Sequence, residues 1–126
     1  MQWSRLLAAL ERIDGGLAAP ELLWSEATSM LHEAAWRGRL QPDEAEEALR
    51  LVRDAPIAAR RPRQLRARAW AIADRLGWAR TYDAEYCALA ELLGCNLVTA
   101  DRRLRAGAER LGYVWTVAEG AGSLAA

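Results

Sequence analysis

The sequence has no lysine and no phenylalanine, so arginine supplies all 17 of its Lys and Arg positions. Arginine presents a planar fork that binds phosphate oxygens in pairs, which is one explanation for this bias. Codon usage in a GC-rich genome is the other explanation, and we favour it. The formal net charge at pH 7 is zero. The whole protein therefore exerts no general attraction on nucleic acid, and any such binding needs a local basic patch.

Cysteine and histidine are scarce, which excludes several kinds of site. Cys87 and Cys95 do not have the spacing of a metal-binding pair, and we predict two buried, reduced thiols. His32 is the only histidine. A catalytic Ser-His or Cys-His arrangement would depend on it, and no neighbouring residue supports one. We therefore expect His32 on a helix surface.

Long apolar runs are also absent. No segment approaches the roughly 20 apolar residues that span a membrane, and no basic-then-apolar leader opens the chain. Hydrophobic residues still make up 52% of the 126 residues, which is enough for the core of one domain. We predict one soluble, cytoplasmic domain over residues 1–126, with 118–126 as a flexible tail.

The chain alternates helical segments with short apolar segments. Apolar residues at helical spacing predict helices over Trp3–Ile13, from Pro20 to about Arg37, from Pro42 to Val52 and from Leu65 to Leu76. Short apolar runs predict strands at 17–19, at 55–59 and at 113–117. The alternation favours an α/β fold with a short parallel sheet flanked by helices. An all-helical interaction protein is the alternative, because the predicted strands are brief.

The segment from Thr81 to Leu104 carries the most specific pattern. It predicts a helix opened by Asp83, a turn at Gly94, a short buried strand, and a second helix opened by Asp101. In α/β folds the carboxyl ends of parallel strands meet the amino ends of helices at one edge of the sheet, and sites form there. The two carboxylates are therefore candidates for one site.

This segment resembles the PIN domain family of metal-dependent ribonucleases, and within it the VapC-type toxins of bacterial toxin–antitoxin pairs. The shared pattern is an Asp-Ala pair opening a helix, a Tyr three residues after the Asp, an Ala-Leu-Ala-Glu run, a Gly, and a strand ending in Thr-Ala-Asp-Arg-Arg-Leu. The stretch Leu17–Glu26 resembles the family's second strand and the helix that carries its Glu. The resemblance implies a PIN-like three-layer α/β/α fold and a divalent-metal-dependent endoribonuclease neutralised by a VapB-like antitoxin.

The resemblance assigns catalysis and metal binding to Glu26, Asp83 and Asp101. Clustered carboxylates hold hard ions such as Mg²⁺ or Mn²⁺, which activate water for phosphodiester hydrolysis. Glu26 is expected in the second turn of its helix, so it faces the same edge as the two Asp residues. Each residue also has a structural explanation: Asp83 and Asp101 are good helix caps, and Glu26 suits a solvated position.

The predicted substrate-binding residues surround these acids. Thr99 adds a hydroxyl or orients a water. Tyr86 lies one helical turn from Asp83 on the same face, and we predict it at the rim of the site. Arg102 and Arg103 contact an RNA phosphate or counter the acidic cluster, and a solvated helical turn is the alternative. One local basic stretch either tracks a phosphate backbone or forms an ordinary charged surface; it comprises Arg60, Arg61, Arg63, Arg66 and Arg68.

The resemblance runs from Leu17 to Val117 and departs from the family at its beginning. A PIN domain opens with an apolar strand that ends in an Asp and lies at the centre of the sheet. We expect that strand to be missing here, and Asp14, before Gly15-Gly16, is not assigned its role. A sheet without a central partner leaves strand edges to cover, so we expect a homodimer or a partner peptide. A degenerate module that binds antitoxin or RNA without cleavage is the alternative to the enzyme.

Overall fold

The computed structural model describes residues 9–11, 16–117 and 119. The described elements follow in the order β1 (Ala9–Glu11), β2 (Leu17–Ala19), α1 (Leu22–Trp36), α2 (Pro42–Arg53), β3 (Ile57–Ala59), α3 (Leu65–Leu76), α4 (Tyr82–Leu93), β4 (Leu97–Thr99), α5 (Arg102–Gly107) and β5 (Val114–Thr116). A one-turn 3-10 helix at Glu109–Leu111 separates α5 from β5. The predicted α/β class is confirmed, and the predicted all-helical alternative is wrong.

The five strands form one sheet in the order β3-β2-β1-β4-β5. The pairs β2–β3 and β4–β5 are parallel, as predicted. β1 is antiparallel to both β2 and β4. It follows that β2, β3, β4 and β5 all run in the same direction, and that their carboxyl ends share one edge of the sheet.

The centre of the sheet differs from the prediction in one respect. The sequence predicted a helix over Trp3–Ile13, but Ala9–Glu11 form a strand; the flanking residues of that prediction lie outside the described part of the chain. No parallel strand lies between β2 and β4 in the described residues, and β1 holds that place in the opposite direction. The two inner strands would otherwise expose unpaired backbone groups, and β1 pairs with both.

Helix α1 forms because its apolar residues recur once per turn. Leu23, Ala27 and Leu31 lie on one side and are buried. On the outer side of the helix, Thr28, Ser29 and His32 are exposed. His32 thus lies on a helix surface, as predicted.

Helix α4 is the most buried helix of the described chain. Ala84 and residues 86–90 are all buried. It ends at Gly94, whose φ of +66° lies in the left-handed region that favours glycine. This turn lets the chain reverse directly into β4. Cys87 is buried within α4, as predicted, whereas Cys95 is only half-buried. Neither cysteine forms a disulfide bond within the described residues, in agreement with the prediction of reduced thiols.

Within the described residues no helix is long and apolar enough to cross a lipid bilayer. The predicted flexible tail at 118–126 lies outside the described residues except for Glu119. That side chain accepts hydrogen bonds from Arg105 and from the Thr116 N–H.

Candidate functional site at the carboxyl edge of the sheet

The predicted acidic residues belong to three elements that meet the carboxyl edge of the sheet. β2 ends at Ala19 and leads into α1, which carries Glu26 in its second turn. β4 ends at Thr99 and leads into α5, which Asp101 precedes. Asp83 lies in the first turn of α4. The parallel direction of β2 and β4 therefore directs α1 and α5 away from the same edge.

Asp101 is the N-cap of α5. Its Oδ1 accepts hydrogen bonds from the backbone N–H of Arg103 at 2.9 Å and of Leu104 at 3.2 Å. These groups have no partner inside the helix, so the cap stabilises the first turn. The capping explanation is confirmed for Asp101.

Asp83 does not cap its helix. Thr81 takes the N-cap position of α4 without a side-chain hydrogen bond, and Asp83 is the second residue of the helix. A carboxylate in the first turn interacts favourably with the helix dipole. The capping explanation is therefore wrong for Asp83.

Thr99 is fully buried at the end of β4. Its Oγ1 accepts a hydrogen bond of 3.0 Å from the Asp101 backbone N–H. Thr99 thus orders the short turn that delivers Asp101 to α5. This burial makes Thr99 a positioning residue of the turn and removes it from the surface that a substrate would meet.

Glu26 and Tyr86 are in direct contact. The Tyr86 hydroxyl donates a hydrogen bond of 2.7 Å to Glu26 Oε1. The Tyr86 side chain is only 2% exposed, whereas Glu26 is half-buried. Tyr86 therefore lies behind the acidic residues in the core, and not at the rim of the site where it was predicted.

Several negative charges act on the Tyr86 hydroxyl. Burial raises the pKa of Tyr86 far above its ordinary value, and the charges of Glu26, Asp83 and Glu85 raise it further. Burial also raises the pKa of Glu85; Arg66 opposes this shift and Glu26 adds to it. Glu26, Asp83 and Glu85 thus share one electrostatic environment around Tyr86.

Glu85 was not among the residues predicted from the sequence. The available signal was its place in the first turn of α4, two residues after Asp83 and next to Tyr86. Only the packing of α4 near Glu26 reveals that it contributes to the same acidic group.

Across the described ranges, no group of three or more His, Cys, Asp or Glu side chains is arranged to hold a metal ion. The oxygen donors of Glu26, Asp83 and Asp101 suit Mg²⁺ or Mn²⁺ in their chemistry. Their arrangement does not form a three-carboxylate cage, and the metal assignment stays a prediction.

The predicted basic residues lie on the surface. Arg102 and Arg103 are exposed in the first turn of α5, directly beside Asp101. In the basic stretch, Arg61 lies 3.6 Å from Glu21, and Arg68 pairs with Glu91 at 2.8 Å. Carboxylates thus partly neutralise this stretch, which weakens it as a phosphate-binding surface.

Comparison with known proteins assigns this chain to one family. Residues 2–109 match the PIN domain, and the chain belongs to the PIN domain family. It is 41% identical over 101 residues to a VapC ribonuclease of Mycobacterium bovis and to ribonuclease VapC9 of Mycobacterium tuberculosis. The match covers 80% of this chain and 74% of each relative. The predicted resemblance to VapC-type members is confirmed.

Proposed function

We propose that this protein is an endoribonuclease of the VapC type, the toxin of a toxin–antitoxin pair. The observation that carries the proposal is the 41% identity, over 80% of the chain, to relatives named as VapC ribonucleases. The acidic residues at the carboxyl edge of the sheet support it, because phosphodiester hydrolysis requires carboxylates that organise the attacking water and its environment.

Glu26, Asp83 and Asp101 are the proposed catalytic residues, and Mg²⁺ or Mn²⁺ is the proposed cofactor. When bound, such an ion supplies an activated water and shields the charge of the phosphate. The described residues do not assemble a cage for it, so we assign the carboxylates to the site without a coordination geometry. Asp101 is oriented by its own helix, and Glu26 by Tyr86.

The decisive experiment measures cleavage of a fluorescent oligoribonucleotide with Mg²⁺, with Mn²⁺ and with excess chelator. We expect cleavage that needs the metal and that falls at least about 100-fold in Asp83→Asn and in Asp101→Asn, since charge is lost at the site with little change in shape. Asp43→Asn in α2, an exposed Asp of another helix, is the matched control. Undiminished cleavage in an Asp83→Asn/Asp101→Asn double variant would refute the proposal.

Arg102 and Arg103 are the proposed contacts to the RNA backbone. Both are exposed beside Asp101, where a bound phosphate lies within reach of their guanidinium groups. We expect Arg102→Gln and Arg103→Gln each to weaken RNA binding and to reduce its salt dependence by about 0.7 in the log–log slope, the value for one phosphate contact on a single strand. Arg39→Gln, in the exposed turn between α1 and α2, is the control. An unchanged slope in both variants would exclude the contact.

The proposed partners are RNA, a VapB-like antitoxin and a second copy of the chain. The names of the relatives support the first two. Large exposed apolar side chains support a further interface; they include Trp36 at 80% and Trp70 at 68% exposure. Light scattering of the purified protein, alone and with a VapB-like antitoxin, tests both assemblies.

A PIN-like module that binds RNA or antitoxin without cleaving RNA is the second candidate. Two observations favour it: the described residues form no three-carboxylate cage, and the antiparallel β1 holds the centre of the sheet. Fluorescence anisotropy with the same oligoribonucleotide separates the candidates. Tight binding with no cleavage under any metal condition would select the binding module.

A further inference from the structure

Tyr86 joins two elements that are far apart in the sequence. Tyr86 is 2% exposed and belongs to the hydrophobic core, which also contains buried residues of β2 and α1 such as Ala18 and Leu23. Its hydroxyl reaches out of this core to Glu26 Oε1 at 2.7 Å. Packing therefore fixes the Tyr86 hydroxyl, which is the donor. The acceptor, Glu26, is a half-buried side chain in the second turn of α1.

A half-buried glutamate such as Glu26 needs a fixed partner to hold one side-chain conformation. Glutamate has three side-chain torsions, and ordering them costs conformational entropy. Glu85 adds negative charge in the same environment, and repulsion favours conformers that turn away from it. A hydrogen bond to an ionised carboxylate is stronger than one between neutral groups, so a rigid donor favours one conformer of the acceptor.

We propose that Tyr86 is the positioning residue of Glu26, holding its carboxylate in one orientation at the carboxyl edge of the sheet through the hydroxyl–Oε1 hydrogen bond. This inference rests on the proposed ribonuclease function, in which Glu26 is a catalytic residue. Because Tyr86 is only 2% exposed, we assign it a role that acts through Glu26 and not through contact with RNA.

The chain offers a matched control in Tyr113. Its hydroxyl also donates to a carboxylate of another element, Glu91 Oε2 at 2.5 Å, and the Cys87 carbonyl at 3.2 Å is a second, more distant acceptor of the same hydrogen. Glu91 lies in the last turn of α4 and pairs with Arg68, away from the acidic residues in the first turn. Tyr86→Phe and Tyr113→Phe therefore each remove one hydroxyl from a tyrosine–carboxylate pair, and only the first affects the proposed site.

The experiment compares cleavage by the full chain with that of Tyr86→Phe, Tyr113→Phe, Glu26→Ala and the Tyr86→Phe/Glu26→Ala double variant. We expect Tyr86→Phe to lower kcat about tenfold and to leave KM for RNA unchanged, because the hydroxyl orients a catalytic group and does not bind RNA. Tyr113→Phe should retain the kcat of the unmodified chain. In the Glu26→Ala background, Tyr86→Phe should cause no further loss.

Two outcomes would overturn the inference while leaving the ribonuclease proposal intact: an unchanged kcat in Tyr86→Phe, or an equal loss of kcat in Tyr113→Phe. If the unmodified chain cleaves no RNA, the ribonuclease proposal itself fails, and urea unfolding of the same four variants then decides whether Tyr86 holds Glu26. Non-additive shifts of the unfolding midpoint for Tyr86→Phe and Glu26→Ala would support the contact. Additive shifts would overturn the inference there too.

Discussion

Glu26 and Asp101 both lie at the carboxyl edge of the sheet, but the protein holds them in different ways. Asp101 is held by its own helix, through backbone groups two and three residues further along. Glu26 is held by Tyr86, a residue 60 positions away. The comparison shows that one edge of the sheet can carry both a carboxylate that the local sequence orients and a carboxylate that a distant residue of the packed core contacts.

The largest expected effect on stability comes from removing Tyr86, the core residue that contacts Glu26. Tyr86→Ala deletes a large side chain that is 2% exposed, and we expect it to lower the free energy of unfolding by about 3–5 kcal/mol. Tyr82→Ala, in the exposed first residue of α4, should cost less than about 0.5 kcal/mol. Urea denaturation followed by circular dichroism measures both. Equal losses in the free energy of unfolding for Tyr86→Ala and Tyr82→Ala would show that packing of Tyr86 in the core does not stabilise the protein.

A smaller effect on stability should come from Asp101, which is held by its own helix. Asp101→Ala removes the N-cap of α5, and we expect a loss of about 1 kcal/mol in the free energy of unfolding. Asp101→Asn should retain that stability, because asparagine caps helices about as well as aspartate. The same Asn variant should lose RNA cleavage, which separates the capping role from the proposed catalytic role. Loss of stability in Asp101→Asn would mean that the charge itself supports the fold.

The smallest effect concerns a third carboxylate, Glu119, which lies on the exposed surface. Hydrogen bonds from Arg105 and Thr116 lower the pKa of Glu119 to about 2. A pKa lowered in the folded state means that this contact stabilises the protein above the unfolded pKa of 4.5 and that the contribution is lost as pH falls toward 2. We expect Glu119→Gln to reduce the pH dependence of the unfolding midpoint between pH 5 and 2.

The measurement for Glu119 is thermal unfolding at closely spaced pH values, with Glu109→Gln as the control on the neighbouring one-turn helix. Glu109 is exposed and also acts on Arg105 through its charge, but the hydrogen bonds from Arg105 and Thr116 go to Glu119. An identical pH profile for Glu119→Gln and the unmodified chain would show that this surface contact contributes nothing to stability. Many exposed ion pairs make no measurable contribution.

Much of the fold was predictable because its signals are local. The apolar spacing of Leu23, Ala27 and Leu31 predicts α1, and Gly94 marks the turn between α4 and β4. The strand at Ala9–Glu11 was mistaken for a helix, since a three-residue strand carries no periodicity of its own. It forms because β2 and β4 both present backbone groups that require a partner.

The sequence by itself determined the family, the alternation of helices and strands, and the identity of the acidic residues at the starts of helices. It determined these because caps, turns and apolar spacing act within a few residues of one another. Only the tertiary structure decided that Tyr86 holds Glu26, that Glu85 shares their environment, and that Thr99 faces inward. Those contacts join residues on separate elements, and a contact of that kind exists only after the elements have packed.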